Sequence, residues 1–222
     1  MFWDVLDEPR RLLLRRVVEA SPVPTAYLAG GTALALLFGH RHSEDFDWFT
    51  AADFSVDDVR RRLDPLGSLV ISETGRGTFH GILNGVRVTW LHYSNPLLQP
   101  LVAPAEMEGL RLASPVDIGV MKLAALADRG ALKDFIDLYE LGAQGLPPRE
   151  LFRLIEAKFP DRRVNSYHLV KSLAFFDDAR NDAWPSLLRP VGWPEMERFF
   201  LREQAYLLGR FFTSSSGEIP SS

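Results

Sequence analysis

GGTALALLFGHRHSEDFDWFT, Gly30 to Thr50, decides how this chain is read. Two glycines open a short apolar helix over Thr32 to Phe38, directly after the apolar run Ala26 to Ala29, which reads as the end of a strand. A helix start of this kind leaves amide N–H groups without intrahelical partners, and glycine lets a phosphate approach them closely. Gly30, Gly31 and the Thr32 hydroxyl are therefore candidates for holding the phosphates of a nucleotide. The bland alternative is a plain strand-to-helix turn. Asp45 to Thr50 then alternates acid with aromatic, the period of a strand. Asp45 and Asp47 fall on one face and Phe46 and Trp48 on the other. Two carboxylates on one face repel unless a cation neutralises them, so they are candidate ligands for Mg²⁺ or Mn²⁺.

Outward from this stretch the pattern is first mixed and then helical. A helix is expected over Asp7 to Ala20, stopped by Pro22 and Pro24, and another over Val56 to Leu63 with Ser55 as its cap. Leu69 to Ser72 reads as a strand. Thr78 to Leu83 and Val86 to Tyr93 flank Asn84-Gly85, a strong hairpin signal, and a short strand is expected around Leu110 to Leu112. Five helices follow: Pro115 to Asp128, Leu132 to Leu141, Pro148 to Phe159, Asn165 to Asp178 and Pro194 to Phe212. The expected organisation is an α/β (α+β) part over 1–113, a helical part over 114–212 and a polar, disordered tail over 213–222.

Composition narrows the function. The 222 residues include no cysteine, which removes disulfides, thiolate metal sites and cysteine nucleophiles. No run approaches the roughly 18 apolar residues of a membrane span, and the N-terminal stretch lacks a basic-then-apolar leader pattern, so a cytoplasmic protein without membrane contact is expected. The net charge of −4 argues against broad coating of nucleic acid. Local arginine clusters, Arg10 to Arg16 and Arg60 to Arg62, are either solvated helix faces or places where an RNA could touch. His40, His42, His80 and His92 have no recognisable zinc spacing, and neither a P-loop nor a Gly-x-Ser-x-Gly element occurs.

GGTAL, the HRHSEDFD segment and MKLAALADRGALKDFIDLYEL together resemble the AbiEii-type nucleotidyltransferases, an abortive-infection and type IV toxin–antitoxin family. The resemblance spans Tyr27 to Leu141. It implies a minimal nucleotidyltransferase core with a mixed sheet and flanking helices, then a helical half. It also implies an NTP substrate near Gly30 and Gly31, Asp45 and Asp47 as metal ligands, and Ser43 in the loop beside the phosphates, where the plain alternative is a turn cap. Lys122 would reach the phosphates, or else merely snorkel to water. Asp134 and Asp137 share a helix face; they would look into the site, or Asp137 would simply pair with Lys133. Arg129 would touch substrate or cap its helix. The implied acceptor is RNA, the 3′ end of a tRNA, and the implied partner is a cognate antitoxin.

One feature of the family pattern is missing. Such enzymes commonly carry a third carboxylate on the hairpin strand Val86 to Leu91, where this chain has Thr89, which is no general base near neutral pH. Three readings stand: catalysis with two carboxylates, a base from Asp134 or Asp137, or a nucleotide-binding pseudoenzyme. Transfer to a small molecule or a protein is the remaining alternative.

Overall fold

The computed structural model describes residues 1–161 and 164–211; the expected disordered tail lies outside them. The chain divides into two compact units. One comprises residues 1–118 with 185–189, the other 119–184 with the chain from 190 onward.

The first unit is built on a five-stranded mixed sheet. Its strands are β1 (Tyr27–Ala29), β2 (Phe46–Thr50), β3 (Leu69–Gly75), β4 (Thr78–Leu83) and β5 (Val86–His92), in the spatial order β1-β2-β5-β4-β3. Only β2 and β5 are parallel. The β4–β5 hairpin forms as its turn residues require: Asn84 and Gly85 both have positive φ, 50° and 82°. The Asn84 side chain also accepts from the Ser68 amide (2.8 Å) and donates to the Leu66 carbonyl (3.1 Å), tying the turn to the start of β3. β3 runs three residues further than its sequence suggests. A bulge between Ile71 and Glu73 shifts the register and lets pairing continue to Gly75 against Thr78.

Three helices belong to this unit: α1 (Glu8–Ala20), α2 (Gly30–Phe38) and α3 (Val56–Leu63). Asp7 caps α1 by accepting from the Arg10 amide (2.9 Å), and Ser55 caps α3 by accepting from the Asp58 amide (3.3 Å). Leu13, Leu14 and Val17 of α1 and Val59 and Leu63 of α3 are buried, as is the sheet face formed by Phe46, Trp48, Phe79, Val88 and Trp90. Trp48 and Trp90 stack at 6.0 Å, and Phe79 meets Trp90 edge-on at 5.9 Å. The strand expected around Leu112 is reduced to single bridges, from Leu112 to Leu28 and to Val102. Residues 185–189 add a bridge between Leu187 and Arg41, a long-range pairing with no local signal.

Helix α4 (Pro115–Arg129) runs across the division of the chain, and the second unit continues with α5 (Leu132–Ala143), α6 (Pro148–Phe152), α7 (Ile155–Lys158), α8 (Ser166–Ser172), α9 (Asp177–Arg180) and α10 (Trp193–Phe211). Its core gathers on Phe135, with ring centroids 5.2 Å from Phe176 and 5.0 Å from Phe200. Two helices expected to be continuous are broken. Between α6 and α7 the ladder tightens to a Leu154-to-Leu151 bond (3.0 Å), a 3₁₀ turn. At the end of α8 the Ser172 hydroxyl donates back to the His168 carbonyl (2.9 Å), a local bond that competes with the helix ladder.

Candidate active site

β1 delivers the chain directly into α2 through Gly30, whose φ of +65° suits glycine. A Cβ at this position would sit 3.1 Å from Asp47 Oδ2, so the backbone and the carboxylate lie against each other. No side chain caps the start of α2. The hydroxyls nearby have other partners. Thr32 donates to the Asp45 carbonyl oxygen and shares a 2.7 Å bond with Ser43 Oγ. Because the Thr32 proton is committed to Asp45, Ser43 is the donor in that pair. Both residues are buried. They fix the loop that carries Asp45 rather than presenting hydroxyls outward.

On β2, Phe46, Trp48 and Thr50 are buried while Asp47 and Phe49 are half-buried. Asp45, just before the strand, and Asp47 therefore share the face opposite the aromatic core, as alternation predicts. Arg87 Nε lies 3.8 Å from Asp45 Oδ1 on an exposed edge of this face, too loosely held to neutralise the pair. Among the described residues no three His, Asp or Glu side chains converge on a point that could hold a metal. Two hard oxygen donors beside a glycine turn nevertheless fit Mg²⁺, which is commonly held by one or two carboxylates plus water and substrate phosphates.

Thr89 is the register partner of Asp47 on β5. It is buried, and its Oγ1 lies 3.2 Å from His80 Nδ1 on β4. In the sequence His80 figured only among four histidines without zinc spacing. Its place was nonetheless legible: a two-residue turn at Asn84-Gly85 pairs Leu83 with Val86, and counting back along both strands pairs His80 with Thr89.

In the second unit, Lys122 of α4 meets both acids of α5. Its Nζ lies 2.7 Å from Asp134 Oδ1 and 2.8 Å from Asp137 Oδ2, and both carboxylates are fully buried. Asp137 thus pairs across helices with Lys122, a contact the helix-surface reading with Lys133 did not supply. Arg129 holds Asp134 with two bonds, Nε to Oδ2 at 2.7 Å and Nη2 to Oδ1 at 3.0 Å. Burial pushes the Asp134 carboxyl up, but the charges and hydrogen bonds of Lys122 and Arg129 outweigh it and hold the group below its ordinary value. A carboxylate so held is a weak proton acceptor.

The arginine clusters are largely occupied. Arg10 pairs with Asp7, Arg11 with Glu8 (3.2 Å), Arg60 with Asp64 (3.5 Å) and Arg61 with Asp58 (2.5 Å). Arg62 donates to the Ala20 carbonyl (3.0 Å).

The sequence profile of the AbiEii nucleotidyl transferase toxin, from type IV toxin–antitoxin systems, matches residues 11–93 and 82–206. The chain belongs to the AbiEii family. It is therefore a nucleotidyltransferase, as its motifs imply. An uncharacterised protein of Aquifex aeolicus is 35% identical over 201 residues, covering 89% of this chain and 95% of its own. Among solved structures, an H. pylori protein provisionally described as a nucleotidyltransferase aligns with a TM-score of 0.56 at 20% identity, over 90% of this chain and 96% of the other. MenT4, a nucleotidyltransferase toxin of Mycobacterium tuberculosis, aligns with a TM-score of 0.51 at 16% identity, over 90% and 84%. At these identities the structural likeness speaks to the fold. Among the described residues no helix is long and apolar enough to cross a membrane.

Proposed function

We propose that this AbiEii-family chain transfers a nucleoside monophosphate from an NTP to the hydroxyl at the 3′ end of an RNA, a tRNA being the acceptor the family resemblance favours. The reading is carried by one observation: the Gly30 backbone and the Asp47 carboxylate are in contact, with Asp45 on the same side. In this reading the amides of Gly30 and Gly31 receive the triphosphate, and Thr32 and Ser43 hold Asp45 in place. Asp45 and Asp47 would hold Mg²⁺ or Mn²⁺, which when bound supplies Lewis-acid stabilisation of charge on the phosphates. The acceptor oxygen attacks the α-phosphorus, and the bond to the bridging oxygen breaks to release pyrophosphate. Lys122 is assigned by resemblance to the phosphates, with Asp134 and Asp137 anchoring its ammonium. The family context makes a cognate antitoxin the expected partner.

A second reading, transfer to a small molecule or a protein, is favoured by the ion pairing of Arg10, Arg11, Arg60 and Arg61 with neighbouring acids, which offsets the charge of these four arginines. One experiment separates the two. Each labelled NTP is offered with Mg²⁺ to total RNA, to small-molecule extracts and to the protein itself, with Asp45→Ala as control. Label in tRNA that disappears in the variant supports the first reading; label elsewhere supports the second. NTP binding with no label in any acceptor would leave only a nucleotide-binding pseudoenzyme.

A further inference from the structure

The sheet of the first unit carries one continuous row of register partners across all five strands: Ala29, Asp47, Thr89, His80 and Glu73. Partners in register point to the same face. This row therefore runs from the start of the glycine turn, past the proposed metal carboxylate, to the position where a third acid is missing, and then to a histidine and an acid beyond it. The last member is there because of the bulge. Without the extra residue between Ile71 and Glu73, Ser72 would stand opposite His80; with it, Glu73 does.

We infer that His80 is the group that takes the proton from the acceptor hydroxyl, in the role other nucleotidyltransferases give to an acid at the Thr89 position. This inference rests on the transfer reading above. His80 is half-buried, and its Nδ1 is engaged by the buried Thr89 hydroxyl at 3.2 Å. The contact with Thr89 holds the ring in orientation, and in the tautomer that donates from Nδ1–H the lone pair of Nε2 is available for a proton. Directly opposed partners on neighbouring antiparallel strands place their Cβ atoms about 5 Å apart, so Glu73 stands beside His80 on this face. The other charged groups sharing this face are Arg87 on β5 and Asp45 and Asp47 at β2. Helix α1 lies on the opposite face, where Val17 and Val18 adjoin Trp48 and Trp90, and α3 packs beside it.

The step balances. The hydroxyl proton passes to Nε2 of His80, and the oxygen forms its bond to the α-phosphorus. The bond to the bridging oxygen breaks, pyrophosphate leaves with the electron pair, and the imidazolium later returns its proton to water. A histidine suits this task because its charge changes close to neutral pH, where Thr89 is no general base.

The competing reading is that His80 only satisfies the buried Thr89 hydroxyl. His80→Gln separates the two, because an amide can keep that hydrogen bond but cannot accept a proton. Transfer rates from saturating NTP are measured between pH 5.5 and 9 for wild type, His80→Gln and His80→Ala. NTP affinity and thermal melts are followed in parallel. The expected result is a loss of kcat of about 10²–10⁴-fold in both His80 variants. NTP affinity stays within about twofold and the acid limb of the rate profile disappears, with partial recovery of His80→Ala by added imidazole. Wild-type kcat in His80→Gln, or an acid limb that persists in His80→Ala, overturns the assignment while leaving the transfer reading intact. A wild type that binds NTP and transfers nothing overturns the transfer reading and this one with it.

Discussion

The backbone of Gly30 lies against the carboxylate of Asp47, close enough that a methyl group at residue 30 would come within 3.1 Å of Oδ2. That contact brings the glycine turn beside the acid pair, although Gly30 and Asp47 are 17 positions apart in sequence.

Gly30→Ala meets two obstacles at once, the crowding of Asp47 and a φ of +65°. The backbone cost alone is about 1–2 kcal/mol, which for a chain of this size lowers Tm by roughly 2–8 °C. Displacement of Asp47 should weaken NTP binding in the presence of Mg²⁺ as well. Melts and equilibrium binding check both; an unchanged Tm with unchanged affinity would mean that the turn relaxes freely.

Asp45→Asn and Asp47→Asn should each abolish Mn²⁺ binding followed by electron paramagnetic resonance, and each should reduce transfer at least 100-fold. Arg87→Ala should change stability by less than about 0.5 kcal/mol, because its contact with Asp45 is long and exposed. Retention of Mn²⁺ binding in either Asp variant would remove that acid from the proposed ligand set.

The sequence was most informative where the signal is local. Glycine at a positive φ, the Asn84-Gly85 turn and the acid–aromatic alternation of β2 each report on their own few residues, and each has the expected structure. The rest depends on partners far along the chain. The bulge that swings Glu73 opposite His80 has no signal within β3, because it is defined by the register against β4. The pairing of Leu187 with Arg41 joins segments separated by a whole set of helices. Asp137 was read against Lys133 on its own helix, whereas it meets Lys122 of α4. The shared face of Asp45 and Asp47 was legible from alternation, and the place of His80 beside Thr89 was recoverable only by extending the hairpin register.

Lys122 and Arg129 both hold Asp134, but their removal should differ in cost. Lys122 is buried against two fully buried carboxylates, while the Arg129 side chain is 61% exposed. Lys122→Ala strips the cation from both acids, and breaking a buried pair costs about 3–5 kcal/mol. Arg129→Ala leaves Lys122 in place and should cost about 1 kcal/mol or less. Urea denaturation measures both. Equal losses would show that the guanidinium, despite its exposure, carries the charge balance of α5.

The same cluster predicts how stability responds to acid. The Asp134 carboxyl is held below its ordinary value because Lys122 and Arg129 outweigh the opposing effect of burial. In the unfolded chain this carboxyl returns to its ordinary value, so in acid the unfolded state binds its proton first. The stabilisation from the depressed value is therefore complete at neutral pH. It is lost as pH falls from the ordinary carboxylate range, about 4, toward the lower folded value. Asp134→Asn should be less stable than wild type at pH 7, and it should lose less stability between pH 6 and pH 3. Urea midpoints for the two proteins across that interval decide the matter. Parallel curves would mean that other carboxylates govern acid unfolding and that the Lys122–Asp134–Arg129 cluster makes no net proton-linked contribution.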